Sequence, residues 1–145
     1  MLQPKTIAQA MLTKLKAEVS GVFYVEEVEA QTTTFEEFLL KVQLPSIAVG
    51  FLGKDYDTAD ESGELLKLTT SFAVIVIHSD IRGYVMALNE TDGIDDILAA
   101  CEASLTGQTL GLALASGFRP VSARPLVSVP GRVAWQMIWE VDYFN

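Results

Sequence analysis

Apolar residues recur along this chain with two different periods, and the switches between them predict its elements. Between Pro4 and Glu18, Ile7, Met11 and Leu15 share one helical face, widened by Ala8, Ala10 and Leu12; three- and four-residue spacing marks an amphipathic helix. Pro4 suits a first turn, Thr6 with Gln9 has the spacing of a capping box, and Ser20-Gly21 ends the helix. "GVFYVEEVEA" then alternates like a strand and runs into acidic residues. "TTTFEEFLLKVQ" returns to the helical period. Thr34 can cap it, Glu36 and Glu37 stand near the positive end of its dipole, and Phe35, Phe38, Leu39 and Val42 form its apolar stripe. Leu44-Pro45 breaks that helix before a strand, "SIAVGFLG". "KDYDTADESGE" reads as a polar, acidic loop or hairpin tip.

The second half carries the longest strand signal, "LLKLTTSFAVIVIHS", rich in β-branched residues and apolar on both faces from Phe72 to Ile77. Such a strand belongs in the middle of a sheet. "DIRGYVMALNE" fits an irregular stretch or a short helix. Thr91 or Asp92 can cap the clearest helix, where Ile94, Ile97, Leu98, Cys101 and Leu105 keep the helical spacing and Gly107 stands at the C-terminal cap. "GFRPVSARPLVSVPG" holds three prolines, so a strand there is an edge strand or a bulged one. Val129-Pro130-Gly131 is a turn. The closing strand puts Val133, Trp135, Met137, Trp139, Val141 and Tyr143 on one face and Ala134, Gln136, Ile138, Glu140 and Asp142 on a wetter one. The pattern predicts an α+β fold, one domain over residues 1–145, with a mainly antiparallel sheet and helices packed on one face.

Composition narrows the function classes. Half of the 145 residues are hydrophobic, enough for a core at this size. The net charge of -9, with ten scattered basic residues, opposes nucleic-acid binding, because neutralising phosphate takes clustered Lys and Arg. One cysteine, Cys101, excludes an internal disulfide and a cysteine-based metal site. The N-terminus carries Lys5, Lys14, Lys16 and Glu18 through its length and lacks the apolar core of a signal peptide. No apolar run nears the ~20 residues of a spanning helix. A soluble protein made in the cytoplasm is the expectation.

Candidate chemistry is sparse. His78-Ser79-Asp80 contains the chain's one histidine. Neighbours on a strand point to opposite faces, so His78 and Ser79 are not expected to meet, and no Gly-x-Ser-x-Gly turn is present. The tripeptide reads as the polar end of a strand. Asp55, Asp57, Asp60, Glu61 and Glu64 offer oxygen ligands for a divalent cation, but their spacing is not that of an EF-hand, and a solvated loop tip explains them. Cys101 sits on an apolar helix face, where a core thiol is expected. Trp135 and Trp139 fit a core or a subunit interface. No phosphate loop, dinucleotide fingerprint or zinc spacing occurs. The residues assign no catalytic, cofactor or metal site.

The order of features is more informative. The amphipathic first helix, "LPSIAVGFLG", the strand "TTSFAVIVIHSDIRG", the helix "DGIDDILAACEASLTGQ", the proline-interrupted stretch and the closing "WQMIWEVDYF" together resemble the tail terminator (tail completion) proteins of long-tailed bacteriophages, in particular the Mu-like prophage branch. The resemblance covers most of the chain. It implies a structural protein, not an enzyme, forming a six-fold homohexameric ring that caps the head-proximal end of the tail tube, stops tube polymerisation and offers the head a docking surface. Implied partners are further copies of the chain, the tail tube protein, the head-tail connector or neck protein and, in a contractile tail, the sheath. Genome DNA would pass through the ring without specific binding, and no membrane is involved. The implied place is the neck end of the virion tail, assembled in the host cytoplasm. Exposed charged segments supply the interface candidates: Asp55, Asp57, Asp60, Arg119, Arg124 and Arg132. Three other readings stand beside it: a head-tail connector, neck or minor tail protein; a small hydrolase or ligand-binding domain using His78 and Asp80; and a cellular adaptor.

Overall fold

In the computed structural model, residues 2–25, 35–58, 66–80, 93–126 and 131–144 are described. The elements, in chain order, are α1 (Pro4–Glu18), β1 (Phe23–Val25), α2 (Phe35–Lys41), β2 (Ser46–Thr58), β3 (Leu66–Asp80), α3 (Ile94–Leu105), β4 (Arg119–Pro125) and β5 (Gly131–Phe144). The architecture is α+β, as the pattern predicts.

Five strands form one sheet in the order β1-β2-β3-β5-β4. Only β1 and β2 run parallel; the other pairs are antiparallel. The apolar strand β3 takes the centre, paired with β2 from Ser46↔Ile77 to Thr58↔Leu66 and with β5 from Lys67↔Phe144 to Asp80↔Gly131. The proline-bearing β4 lies at an edge, and its register slips between Pro120 and Ser122. Both halves of the proline expectation, an edge and a bulge, therefore hold.

The two long helices cover one face of the sheet. Ile7, Met11 and Leu15 of α1 and Ile94, Ile97, Leu98, Cys101 and Leu105 of α3 are buried with Phe72, Val74 and Val76 of β3 and Val133, Met137, Trp139, Val141 and Tyr143 of β5. At 12 residues α3 would be marginal in isolation. Its apolar face, at roughly 1.5–3 kcal/mol for each large side chain buried, makes it stable here. The short helix α2 lies on the opposite face, which corrects the expectation that the helices pack on one face. Phe38, Val42 and Leu44 pack there against Ile77 and Ala134. Arg132 of β5 donates to the Val42 carbonyl at the end of α2, 2.5 Å away, where a cation meets the negative end of the dipole. β1 is tied to α1 by Tyr24, whose hydroxyl donates to the carbonyls of Leu15 (2.8 Å) and Val19 (2.5 Å).

Three other expectations need correction. Gln3, not Thr6, caps α1, with Pro4 opening the helix and no side-chain cap bond. Thr6 lies inside the first turn, where its amide donates to the Gln3 carbonyl. Residues 54–58 belong to β2 and not to a loop, because their backbone pairs with β3 from Lys54↔Thr70 to Thr58↔Leu66. His78 and Ser79 do meet, as described below. Several readings lie outside the described residues: the Thr34 cap, the Thr91 or Asp92 cap, most of the 80–90 stretch, the Val129-Pro130 part of the turn, and Asp60, Glu61 and Glu64. The N-cap of α3 is Gly93.

Candidate functional site

His78, Ser79 and Asp80 end β3, opposite Val133, Arg132 and Gly131. The Ser79 hydroxyl stands 3.3 Å from His78 Nδ1, and the Ser79 carbonyl 3.2 Å from the same nitrogen. The alternation argument fails here because Oγ is one bond from Cβ and stays close to the main chain, within reach of a ring turned along the strand. A nucleophile–base pair also needs a group that orients the base and donors for an oxyanion. The contact between adjacent residues is a local polar arrangement of the strand end.

Cys101 is fully buried, and desolvation pushes its thiol up to about 12. Such a thiol is inert near neutral pH. Trp139 lies in the core at 0% exposure, and Trp135 packs at its margin. A surface cleft between the end of α1 and the first turns of α3 is lined by Glu18, Ser20, Val22, Asp96, Ile97 and Ala100. Its Glu18 is held below the ordinary carboxylate value, first by the hydrogen bond from Lys14, its ion-pair partner one turn back. Among the described residues no three His, Cys, Asp or Glu side chains gather to hold a metal ion, and no helix is long and apolar enough to cross a membrane.

The distinctive features lie at the two edges of the sheet. At the β4 edge, Asp142 of β5 organises a polar cluster. It accepts from Arg119 Nη1 and Nη2, both at 3.1 Å, and from the Thr69 hydroxyl at 2.7 Å, with Lys67 Nζ at 3.7 Å. Arg119 also reaches Glu140 at 3.1 Å and Ser116 at 3.3 Å. The Asp142 backbone joins in: its carbonyl accepts from Ala115 at 2.7 Å, and its amide donates to the Ser116 hydroxyl at 3.2 Å. Burial alone would push the Asp142 carboxyl up. The hydrogen bonds from Arg119 and Thr69 outweigh that and leave it below its ordinary value. Arg119 is correspondingly raised, chiefly by its hydrogen bond to Asp142. The turn before β4 is tight as well: a Cβ on Gly117 would stand 2.5 Å from the Gly107 backbone.

The other edge is different. β1 pairs with β2 only from Ser46 to Ala48, so among the described residues the outer edge of β2 has no partner strand from Val49 to Thr58. Phe51 (48%), Leu52 (48%) and Tyr56 (66%) are large apolar or aromatic side chains left exposed on it. A bulge at Leu52, between Phe51 and Gly53, divides the strand. Phe51 rests on buried Phe72, with ring centroids 6.0 Å apart.

The sequence-derived interface residues are thus dispersed. Asp55 is exposed on β2 and Asp57 lies near that strand's end. Arg124 is exposed on β4. Arg119 belongs to the Asp142 cluster, Arg132 binds the end of α2, and Asp60 lies outside the described residues. Phe51, Leu52 and Tyr56 escaped the sequence reading. The signal available was their β propensity beside a polar run, but their exposure is decided by tertiary packing.

No protein-family model matches the chain, and no curated protein sequence matches it. Solved structures do: 32 chains match its fold. One of them, a chain of the virion of a native gene transfer agent (GTA) particle, has a TM-score of 0.57 over 96% of this chain and 95% of its own, at 14% sequence identity. Likeness at that identity establishes a shared architecture from end to end.

Proposed function

We propose that this chain is a structural protein of a phage-type virion and, within that class, a tail terminator. The ring it forms would cap the head-proximal end of the tail tube, stop further addition of tube subunits and receive the head. The observation that carries the reading is the end-to-end fold likeness to a chain of a gene transfer agent virion. The resemblance of the chain's feature order to tail terminators supplies the finer assignment. The partners are then other copies of the chain, the tube protein and a neck or connector protein. The chain's net charge of -9 would let DNA pass a lumen by like-charge repulsion.

The reading requires no catalysis. His78→Ala is expected to leave assembly intact; loss of assembly without loss of folding would point instead to a role for the His78–Ser79 contact. The deciding measurement is tail length by electron microscopy in particles assembled without this protein. Overlong, headless tubes are expected. Tails of normal length that fail to join heads would move the protein to the connector or neck, the second reading. Intact, infectious particles would remove both.

A further inference from the structure

We infer that the outer β2 edge of one copy, which has no partner strand from Val49 to Thr58 among the described residues, meets the β4 edge of the next, with Asp55 facing Arg124 and Tyr56 close to Val121. The inference rests on the ring proposed above and names its contact. Its first ground is a charge division along the sequence. Residues 55–64 carry five acidic residues and no basic one, whereas residues 103–139 carry three arginines and no acidic residue. The sheet order β1-β2-β3-β5-β4 separates β2, which carries Asp55 and Asp57, from β4, which carries Arg119 and Arg124, by two strands.

The register supplies the second ground. Asp55 stands opposite Thr69, and Thr69 stands opposite Asp142. Arg124 stands opposite Gln136. Asp142 and Gln136 are six residues apart on β5, so they share a face, and Asp55 and Arg124 share it with them. Sheets placed edge to edge and slid along the strands by those six positions would therefore bring the two charges together on the same side of the junction. Both residues are exposed. Among the arginines of that segment, Arg119 and Arg132 are engaged within the molecule.

The third ground is exclusion. A two-fold contact between β2 edges would set acidic segments against each other, and one between β4 edges would set Arg124 against Arg124; like charges placed opposite are destabilising. Pairing unlike edges removes the clash. It also brings exposed Tyr56 of β2 close to Val121, itself 53% exposed. A contact between two different patches is heterologous, the type that closes into rings. Pro120 and Pro125 have no amide to donate, so side chains rather than a long backbone ladder would make the junction.

The test uses the full chain with cysteines placed at the two positions. The native Cys101 is fully buried and stays out of the chemistry. Under mild oxidation, D55C/R124C is expected to give a ladder of covalent multimers, while D55C and R124C alone give background dimers. Efficient dimers from D55C alone would mean a two-fold β2 contact and would overturn the inference. Rings of D55C/R124C visible by electron microscopy that fail to cross-link on oxidation would place the ring contact elsewhere, overturning the inference and leaving the terminator reading standing. Tails shown to lack any ring of this protein would end both. Charge reversal gives a check that adds no cysteine: D55R and R124D each weaken association about tenfold, and D55R/R124D recovers most of it. Failure of the double variant to recover would count against the pairing.

Discussion

The two edges of the sheet are built on opposite principles. The β4 edge is closed to further strands. Pro120 and Pro125 remove donors, the strand is bulged, and Arg119 is clamped to Asp142 and Glu140. The β2 edge contains no proline, has no partner strand from Val49 to Thr58 among the described residues and exposes Phe51, Leu52 and Tyr56. Proteins blunt edges to avoid indiscriminate pairing. A fold that blunts one edge and leaves the other open makes the two edges unlike patches, and a head-to-tail contact joins unlike patches.

The difference can be broken most severely at the β4 side. Gly117→Ala puts a methyl group 2.5 Å from the Gly107 carbonyl group, which backbone cannot relieve cheaply. The expected loss is about 3 kcal/mol, read as a lower midpoint in denaturant. Asp142→Ala removes the acceptor shared by Thr69, Arg119 and Lys67. Because Arg119 is partly in water, the loss should sit below the range for buried pairs, about 2 kcal/mol. Faster hydrogen exchange in β4 than in β2 would accompany it; equal exchange would show that the clamp does not hold this edge.

Acid probes the same clamp. The Asp142 carboxyl is lowered in the folded state, so its contribution is present above its unfolded value, near 4, and is lost as pH falls through the folded one. Thermal melts of the native chain should drop across that acid range, and Asp142→Asn should flatten this part of the profile. An unchanged profile would mean that other carboxylates govern it.

Smaller effects sharpen the contrast. Replacing Pro120 and Pro125 by Thr should change the stability of one copy by less than about 1 kcal/mol. It should also increase self-association measured by light scattering, since the edge regains its donors. Tyr56→Lys on the exposed β2 edge should alter stability by no more than about 0.5 kcal/mol in a melt. A larger drop would show that Tyr56 supports the fold itself.

Much of the architecture was legible because burial leaves periodic traces. The α3 face from Ile94 to Leu105, the alternation of β5 and the doubly apolar centre of β3 all appear where the periods put them. Prolines 120 and 125 announced an edge strand because a missing amide cannot serve an inner ladder. The trace vanishes where backbone bonds, not apolar side chains, decide. Lys54 to Thr58 look like a loop in composition and are strand because β3 offers a partner ladder. Of the six interface candidates, Asp55 and Arg124 are seen exposed, whereas Arg119 and Arg132 are held by partners distant in sequence.

The chain by itself determined the elements, the core face of each long one, the edge position of β4 and the separation of its charges into an acidic and an acid-free segment. These are local or compositional properties, written in spacing and residue type. Only the tertiary structure decided which strands are neighbours, that among the described residues β1 pairs with β2 only from Ser46 to Ala48, that Asp142 is buried against Arg119, and that Asp55 and Arg124 stand on strands separated by two others in the sheet. Each of those depends on contacts between residues far apart in the chain, which a local pattern does not encode.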